Sequence, residues 1–210
     1  LRQEGWRVNR KRVHRLWKQE GLRVPKKQRK RRRVGSSANA CHLRRAERRN
    51  HVWSLDFAFD VTERGQQLKF LSVLDEYTRE CHGIEVARSL RSTHVQDVLE
   101  RLFDEHGTPE HIRADNGPEL VAELLQAWLR RRGVAPLYIE PGAPWENGYG
   151  ESFISRLKDE LIDRELFTSL LEARVVTEDW RQAYNHDRPH GALGYRTPKE
   201  FAATGTQAAF

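Results

Sequence analysis

Three carboxylates in separate parts of the chain could together do chemistry. Asp115 and Glu151 have 35 residues between them, and Asp56 lies well upstream of both. Carboxylate oxygens are the ligands that hard divalent cations prefer. Two such cations can activate a nucleophile and stabilise the departing oxygen during in-line attack on a phosphodiester. The three residues therefore predict a two-metal site for phosphoryl transfer, if the fold brings them together.

The residues around Asp56 alternate as a β-strand does. Between residues 51 and 60, one set of alternate positions is aromatic or leucine, and it consists of Trp53, Leu55, Phe57 and Phe59. Period-two alternation is typical of a strand with one apolar face. Asp56 belongs to the other set, so we expect its carboxylate to project from the face opposite the aromatic one.

The elements that follow predict the layout of a whole domain. After the first strand, strands are predicted at 68–74, 81–87, 111–115 and 134–139, and helices at 92–107, 119–132, from Glu151 onward and at 170–184. We expect Ser92 or Thr93 to cap the first of these helices. The order predicts an α/β fold with a mixed five-stranded sheet flanked by helices, which is the order of the RNase H-like fold.

Glu151 follows a segment rich in glycine and proline, residues 140–150, and lies on the polar side of its predicted helix. At 100° per residue, Glu151 and Lys158 are about 20° apart on the helical wheel. The opposite side is apolar and carries Phe153, Ile154, Leu157 and Leu161. The acid and the ammonium group are therefore predicted to share one face, two turns apart.

Charge is distributed very unevenly along the chain. The first 50 residues hold 19 Lys and Arg against 3 Asp and Glu, a formal charge of +16, and the remainder holds 18 against 27, a charge of −9. A basic arm of this kind favours a polyanion as its partner, although a merely solvated tail is the alternative. We expect DNA contacts from Arg29, Arg31, Arg32 and Arg33.

The amino-terminal region is predicted to be a short helix followed by a linker. Val13, Leu16 and Trp17 have helical spacing behind Asn9, a candidate cap, within residues 1–22. Residues 23–50 are basic and offer little apolar surface, so we interpret them as a linker. Residues 51–203 form the predicted core. The fold class is therefore α/β with a basic helical amino-terminal arm.

Several classes of protein are disfavoured by composition. Cys41 and Cys81 are the only cysteines, which argues against a zinc module or a disulfide framework. No apolar run approaches the roughly 18 residues that a membrane span requires, and no signal peptide is evident at the amino terminus. We expect no membrane partner and a cytoplasmic, nucleoid-associated protein.

Four separated motifs resemble one known family. They are WSLD at 53–56, DNGPE at 115–119, ENGYGESF at 146–153 and YNHDRPH at 184–190. Together they are similar to those of the OrfB-type transposases of bacterial insertion sequences, which are DDE enzymes related to retroviral integrases. The resemblance covers about residues 51–203. Residues 5–22 resemble the end of the helix-turn-helix region that precedes the core in that family.

The resemblance implies roles for particular residues. Asp56, Asp115 and Glu151 would be the catalytic triad and the ligands of two Mg²⁺ or Mn²⁺ ions. Lys158 would contact the terminal DNA, because an ammonium group is a serviceable point charge for phosphate. Further DNA contacts are expected from Asn147 and Arg188. Asn116 is expected to help hold the triad residues in position without binding the metal ions itself. Gly150 stands where family members more often carry a bulkier residue, which predicts a looser start to the helix.

The resemblance implies a metal-dependent transposase that cleaves the ends of an insertion sequence and transfers the strands into a target. Its partners would be double-stranded DNA, in the form of terminal inverted repeats and target, and further copies of the chain. The chain contains no Met, which predicts an upstream start, a non-standard start codon or a truncation. Only the last helix of the helix-turn-helix is evident, and an upstream reading frame is expected as the source of the remainder, as a partner or a fusion. Two alternatives stay open, a non-catalytic DNA-binding regulator and a purely hydrolytic nuclease of the same fold.

Overall fold

The computed structural model describes Gly5 and residues 9–20, 45–115, 117–138 and 147–205. Contacts divide the chain into two units, Leu1–His42 and Leu43–Phe210. In the first unit, helix α1 (Arg10–Gln19) begins after Asn9, whose side chain accepts a hydrogen bond of 2.9 Å from the backbone N–H of Lys11. The predicted cap is therefore confirmed. Most of the predicted basic linker, including the four arginines expected to contact DNA, Arg29, Arg31, Arg32 and Arg33, lies outside the described residues.

The second unit is built on one mixed sheet. Its five strands are β1 (Val52–Val61), β2 (Gln67–Asp75), β3 (Cys81–Ala87), β4 (His111–Ala114) and β5 (Ala135–Tyr138). They lie in the order β3-β2-β1-β4-β5, with β1, β2 and β3 antiparallel and with β4 parallel to both β1 and β5. The predicted mixed five-stranded sheet is confirmed.

Helices cover both faces of this sheet. They are α2 (Ser92–His106), α3 (Glu123–Arg131), α4 (Gly148–Leu157), α5 (Leu170–His186) and α6 (Pro198–Gly205), and a π-helical segment, Lys158–Ile162, continues α4. Alternation along β1 sends Trp53 and Leu55 into the core beneath α2 and α3, and Ala58 into the core beneath α4 and α5. Asp56 points to the second side, so it lies under the helix that carries Glu151.

Three local predictions are wrong in detail. The third helix begins at Glu123 rather than 119, because residues 118–120 form a turn in which the N–H groups of Leu120 and Val121 both bond to the carbonyl of Gly117. Helix α4 begins at Gly148, three residues before Glu151. The cap of α2 is Arg91, whose backbone N–H donates to Nδ1 of His94 at 3.3 Å, so an imidazole does what a glutamate does in a typical capping box.

None of the described helices is both long and apolar enough to cross a membrane.

Candidate active site

The carboxylate of Asp56 lies mid-strand, opposite Ser72 of β2, in a partly buried position. One of its oxygens, Oδ1, accepts a hydrogen bond of 2.8 Å from the N–H of Phe57. Burial, with a smaller contribution from the negative charges of Asp115 and Glu151, raises the pKa of Asp56 to about 6, although the Phe57 N–H and the charge of Lys158 act in the opposite direction. The pKa of Asp56 therefore responds to all three of the charged residues that the sequence predicts to lie near it.

Asp115 follows the carboxyl end of β4. Because β4 is parallel to β1 and pairs Arg113 with Ser54, the residues two positions further along each strand are Asp115 and Asp56. The side chain of Asp115 is exposed, and its Oδ1 accepts a hydrogen bond of 3.0 Å from the N–H of Gly117. The neighbouring Asn116 lies outside the described residues.

Glu151 and Lys158 are carried by α4 and by the π-helical segment that continues it. Glu151 lies in the first turn of α4, which packs on β1, and its side chain is exposed. Lys158 is also exposed, and it is the first residue of the π-helical segment. The structure thus brings Asp115, Glu151 and Lys158 close enough for their charges to act on Asp56.

Asn147, predicted to contact DNA, is instead buried beneath this site with an exposed fraction of 3%. The hydroxyl of Ser54 bonds to Asn147 Oδ1 at 2.7 Å, and Asn147 Nδ2 lies 3.4 Å from Asp56 Oδ2. Both ends of the amide face protein groups, so the structure does not support a DNA contact by this side chain.

Arg188 and the two histidines of the last motif lie along the carboxyl-terminal part of the core. The guanidinium of Arg188 forms an ion pair with Glu160, and both side chains are partly exposed. His190 is buried, with its ring 4.9 Å from that of Tyr184, whereas His186 is exposed. Arg188 is therefore already paired with an acid, which weakens the prediction that it contacts phosphate.

The sequence did not predict a buried ion pair that involves Arg113, two residues before Asp115. Arg113 Nε donates to Oε1 of Glu76 at 2.8 Å, and the two side chains have exposed fractions of 6% and 1%. Burial raises the pKa of the Glu76 carboxyl, and the Arg113 charge opposes this effect. Since Arg113 is two residues before Asp115, period-two alternation alone could have placed it on the same face.

The helix start is tight rather than loose. Gly150 is buried, and a Cβ atom added to it would lie 2.5 Å from Ser54 Oγ and 2.8 Å from Asn147 Oδ1. Real Cβ contacts are not shorter than about 3.0 Å. The predicted loosening at Gly150 is therefore wrong, because the glycine allows close approach of the helix to β1.

Among the described residues, two groups bring metal-ligating atoms within 4.8 Å of one another, His51 with Glu110 and His111, and Glu80 with His82 and His106; the three acids are not among these groups. Neither has the geometry of a metal centre. His51 Nδ1 accepts from the N–H of Glu47, which leaves the proton of the neutral ring on Nε2, the atom that faces Glu110. The rings of His82 and His106 are stacked, with centroids 4.2 Å apart, so their in-plane lone pairs do not converge.

The triad fits divalent cations by the chemistry of its donors. Asp115, Glu151 and Lys158 lie near enough for their charges to act on Asp56, and burial together with the two negative charges raises the pKa of Asp56. Hard cations such as Mg²⁺ and Mn²⁺ favour such oxygen donors. Asp56, Asp115 and Glu151 are therefore the residues that could hold them.

Comparison with known proteins bears on what this arrangement is for. Two family profiles, each described as "Integrase core domain", match residues 46–144 and 132–198. An uncharacterized 31.7 kDa protein of insertion element IS407 from Burkholderia multivorans is 38% identical over 203 residues, which are 97% of this chain and 72% of that protein. A putative transposase, InsD, of insertion element IS2E from Escherichia coli K12 is 30% identical, over 92% of this chain and 91% of that protein.

The chain belongs to the insertion-element transposases with an integrase core domain. Another member of this family, a 39.2 kDa protein of insertion element IS476 from Xanthomonas euvesicatoria, is 38% identical, and the present chain spans 58% of its length. The fold agrees with that of a solved structure, the HTLV-2 integrase catalytic core domain in complex with magnesium. The TM-score is 0.60 at 15% identity, over 75% of this chain and 99% of that one. The predicted RNase H-like fold is thereby confirmed for this transposase.

Proposed function

We propose that the chain is the catalytic part of a transposase that cleaves DNA at the ends of an insertion sequence and joins those ends to a target. The observation that supports the proposal is that Asp115 and Glu151 lie near enough to Asp56 for their negative charges to contribute to its raised pKa. Membership of the transposase family indicates the class of reaction, and the three carboxylates are the groups that would hold the metal ions for it.

The three acids would hold two Mg²⁺ or Mn²⁺ ions. Such ions supply activation of an attacking oxygen, from water or from a DNA 3′-hydroxyl, and stabilisation of the departing 3′-oxygen. That relatives of this fold have been solved with magnesium is consistent with this assignment. The chain itself needs no nucleophilic side chain, because the attacking group comes from water or DNA.

Lys158 has the complementary task of holding DNA. Its ammonium group is exposed beside a cluster of three acids, where a phosphodiester would otherwise be repelled. A lysine can offset part of that repulsion as a point charge. We propose that it binds the phosphate next to the scissile bond, and that two or more copies of the chain hold two element ends together.

The test is strand transfer by the purified protein with Mg²⁺ or Mn²⁺ and a duplex that carries the terminal repeat of its own element. Asp115→Asn should abolish both nicking and joining and leave DNA binding intact. Asp104→Asn is the matched control, since Asp104 is exposed on α2, on the other face of the sheet. Equal strand transfer by the wild type and Asp115→Asn would refute the triad. Nicking without joining would favour the hydrolytic nuclease.

A further inference from the structure

Two acids of the proposed triad are carried by different elements, and one small contact joins those elements. Ser54 lies two residues before Asp56 on β1, Asn147 precedes the first residue of α4, and Gly150 precedes Glu151 within α4. The three residues meet: Ser54 Oγ is 2.7 Å from Asn147 Oδ1, and the position for a Cβ on Gly150 is 2.5 Å from the same hydroxyl.

The partners of the Asn147 side chain allow only one orientation of its amide group. The carboxylate of Asp56 is an acceptor, so the amide group nearest it must be the NH₂, in agreement with the 3.4 Å separation of Nδ2 and Oδ2. The amide oxygen then faces Ser54, whose hydroxyl must donate to it. Ser54 and Asn147 are 1% and 3% exposed, so water cannot readily replace either bond.

We propose that Ser54, Asn147 and Gly150 form a junction that fixes the separation of Asp56 from Glu151. All three are positioning residues, because they act through the two acids. The effect of the junction on catalysis rests on the proposed function, whereas its effect on the position of α4 rests on the geometry alone. Gly150 sets how closely α4 approaches β1, and the Ser54 to Asn147 bond holds the helix at that approach.

The size of the effect follows from the contact distances. Ordinary contact of a Cβ begins at 3.4 Å, so an alanine at 150 would need about 0.9 Å more space than the 2.5 Å now present beside Ser54 Oγ. Buried atoms on β1 cannot withdraw by that amount, and Glu151 is covalently adjacent to the residue that must move. A displacement of about 1 Å in a reacting constellation can cost about 100-fold in rate.

The decisive experiment compares two glycines in the first turn of α4. A Cβ on Gly148 would meet nothing within 4 Å, so Gly148→Ala is a control with the same chemical change in the same turn. Gly150→Ala should lower strand transfer by about 100-fold, with DNA binding retained, while Gly148→Ala should stay within about two-fold of wild type.

A second readout does not depend on catalysis. In metal-free protein, the pKa of Asp56 can be followed by NMR titration of its side-chain carboxyl carbon. Moving α4 away exposes Asp56 and removes Glu151, which both lower its pKa, and it also removes Lys158, which has the opposite effect. Because burial is the largest cause of the shift and Lys158 the smallest of those named, Gly150→Ala should lower this pKa from about 6, whereas Gly148→Ala should leave it unchanged. If the wild type lacked strand transfer, the proposed function would fail while this comparison still decided the junction.

Several results would overturn the inference. They are a wild-type Asp56 pKa and wild-type strand transfer in Gly150→Ala, or equal effects of the two glycine substitutions. Circular dichroism and thermal melting establish whether Gly150→Ala folds. If Gly150→Ala does not fold, Asn147→Ala takes its place, because this substitution removes the hydrogen bond to Ser54 without adding an atom. Strand transfer should then fall at least about ten-fold with DNA binding retained, and an unchanged rate would reject the junction.

Discussion

Replacing Asp56 by asparagine should stabilise the metal-free protein at neutral pH and not at acidic pH. The pKa of Asp56 is raised from 3.8 to about 6 in the folded chain, first by burial and then by the charges of Asp115 and Glu151. At pH above 6, folding must therefore place a charged carboxylate where charge is disfavoured. An asparagine has no such cost.

The sign and size follow from proton linkage. Between pH 3.8 and 6 the folded state binds this proton more tightly than the unfolded state does, so stability is lost as pH rises through that window. Each unit of pKa shift corresponds to about 1.4 kcal/mol, and the shift from 3.8 to about 6 therefore corresponds to about 3 kcal/mol of unfolding free energy. The variant lacks this loss. A separate, pH-independent cost of about 1 kcal/mol is expected, because the new amide loses the carboxylate oxygen that faces Asn147.

Urea denaturation in EDTA, at intervals from pH 4 to pH 7.5, measures the effect. The unfolding free energy of Asp56→Asn minus that of the wild type should be near or below zero at pH 4 and should rise by up to about 3 kcal/mol by pH 7.5. Groups such as Glu76, whose pKa is also raised, cancel in the difference. Asp104→Asn should give a flat difference. A flat difference for Asp56→Asn would refute the uncompensated charge at the centre of the proposed site.

Two further predictions concern residues next to the triad. Arg113→Met should lower the unfolding free energy by about 3 to 5 kcal/mol, because it leaves the buried carboxylate of Glu76 without its ion-pair partner, and the loss should shrink at pH 4 when Glu76 is protonated. Urea denaturation at both pH values checks this, and an unchanged midpoint would contradict it. Lys158→Ala should raise the pKa of Asp56, because the lysine charge lowers it, so the acidic limb of the strand-transfer pH profile should move to higher pH. A move to lower pH would contradict this electrostatic role.

Local patterns were enough to predict most of the sheet. Period-two alternation in β1 follows from strand geometry, and it correctly placed Trp53 and Leu55 on one face and Asp56 on the other. The mixed character of the sheet followed from the sequence of elements, since antiparallel neighbours can be joined by short turns and parallel ones need a crossover. Helix starts were less predictable: Arg91 rather than Ser92 or Thr93 caps α2, because a histidine side chain completes the cap.

The sequence by itself determined which residues could do chemistry. The types of Asp56, Asp115, Glu151 and Lys158, and the strand or helix that carries each, can be read from neighbours only a few positions away. Such neighbours set alternation, helical phase and net charge, and these are the properties that local backbone geometry imposes.

Only the tertiary structure decided how those residues are held. Ser54 and Asn147 are 93 positions apart, and Arg113 is 37 positions from Glu76, so no local pattern couples them. Their hydrogen bonds depend on how closely α4 packs on β1 and on the register of β4 beside it. The clearance at Gly150 is likewise a distance between two elements, and for that reason the sequence predicted a loose contact where the packing is tight.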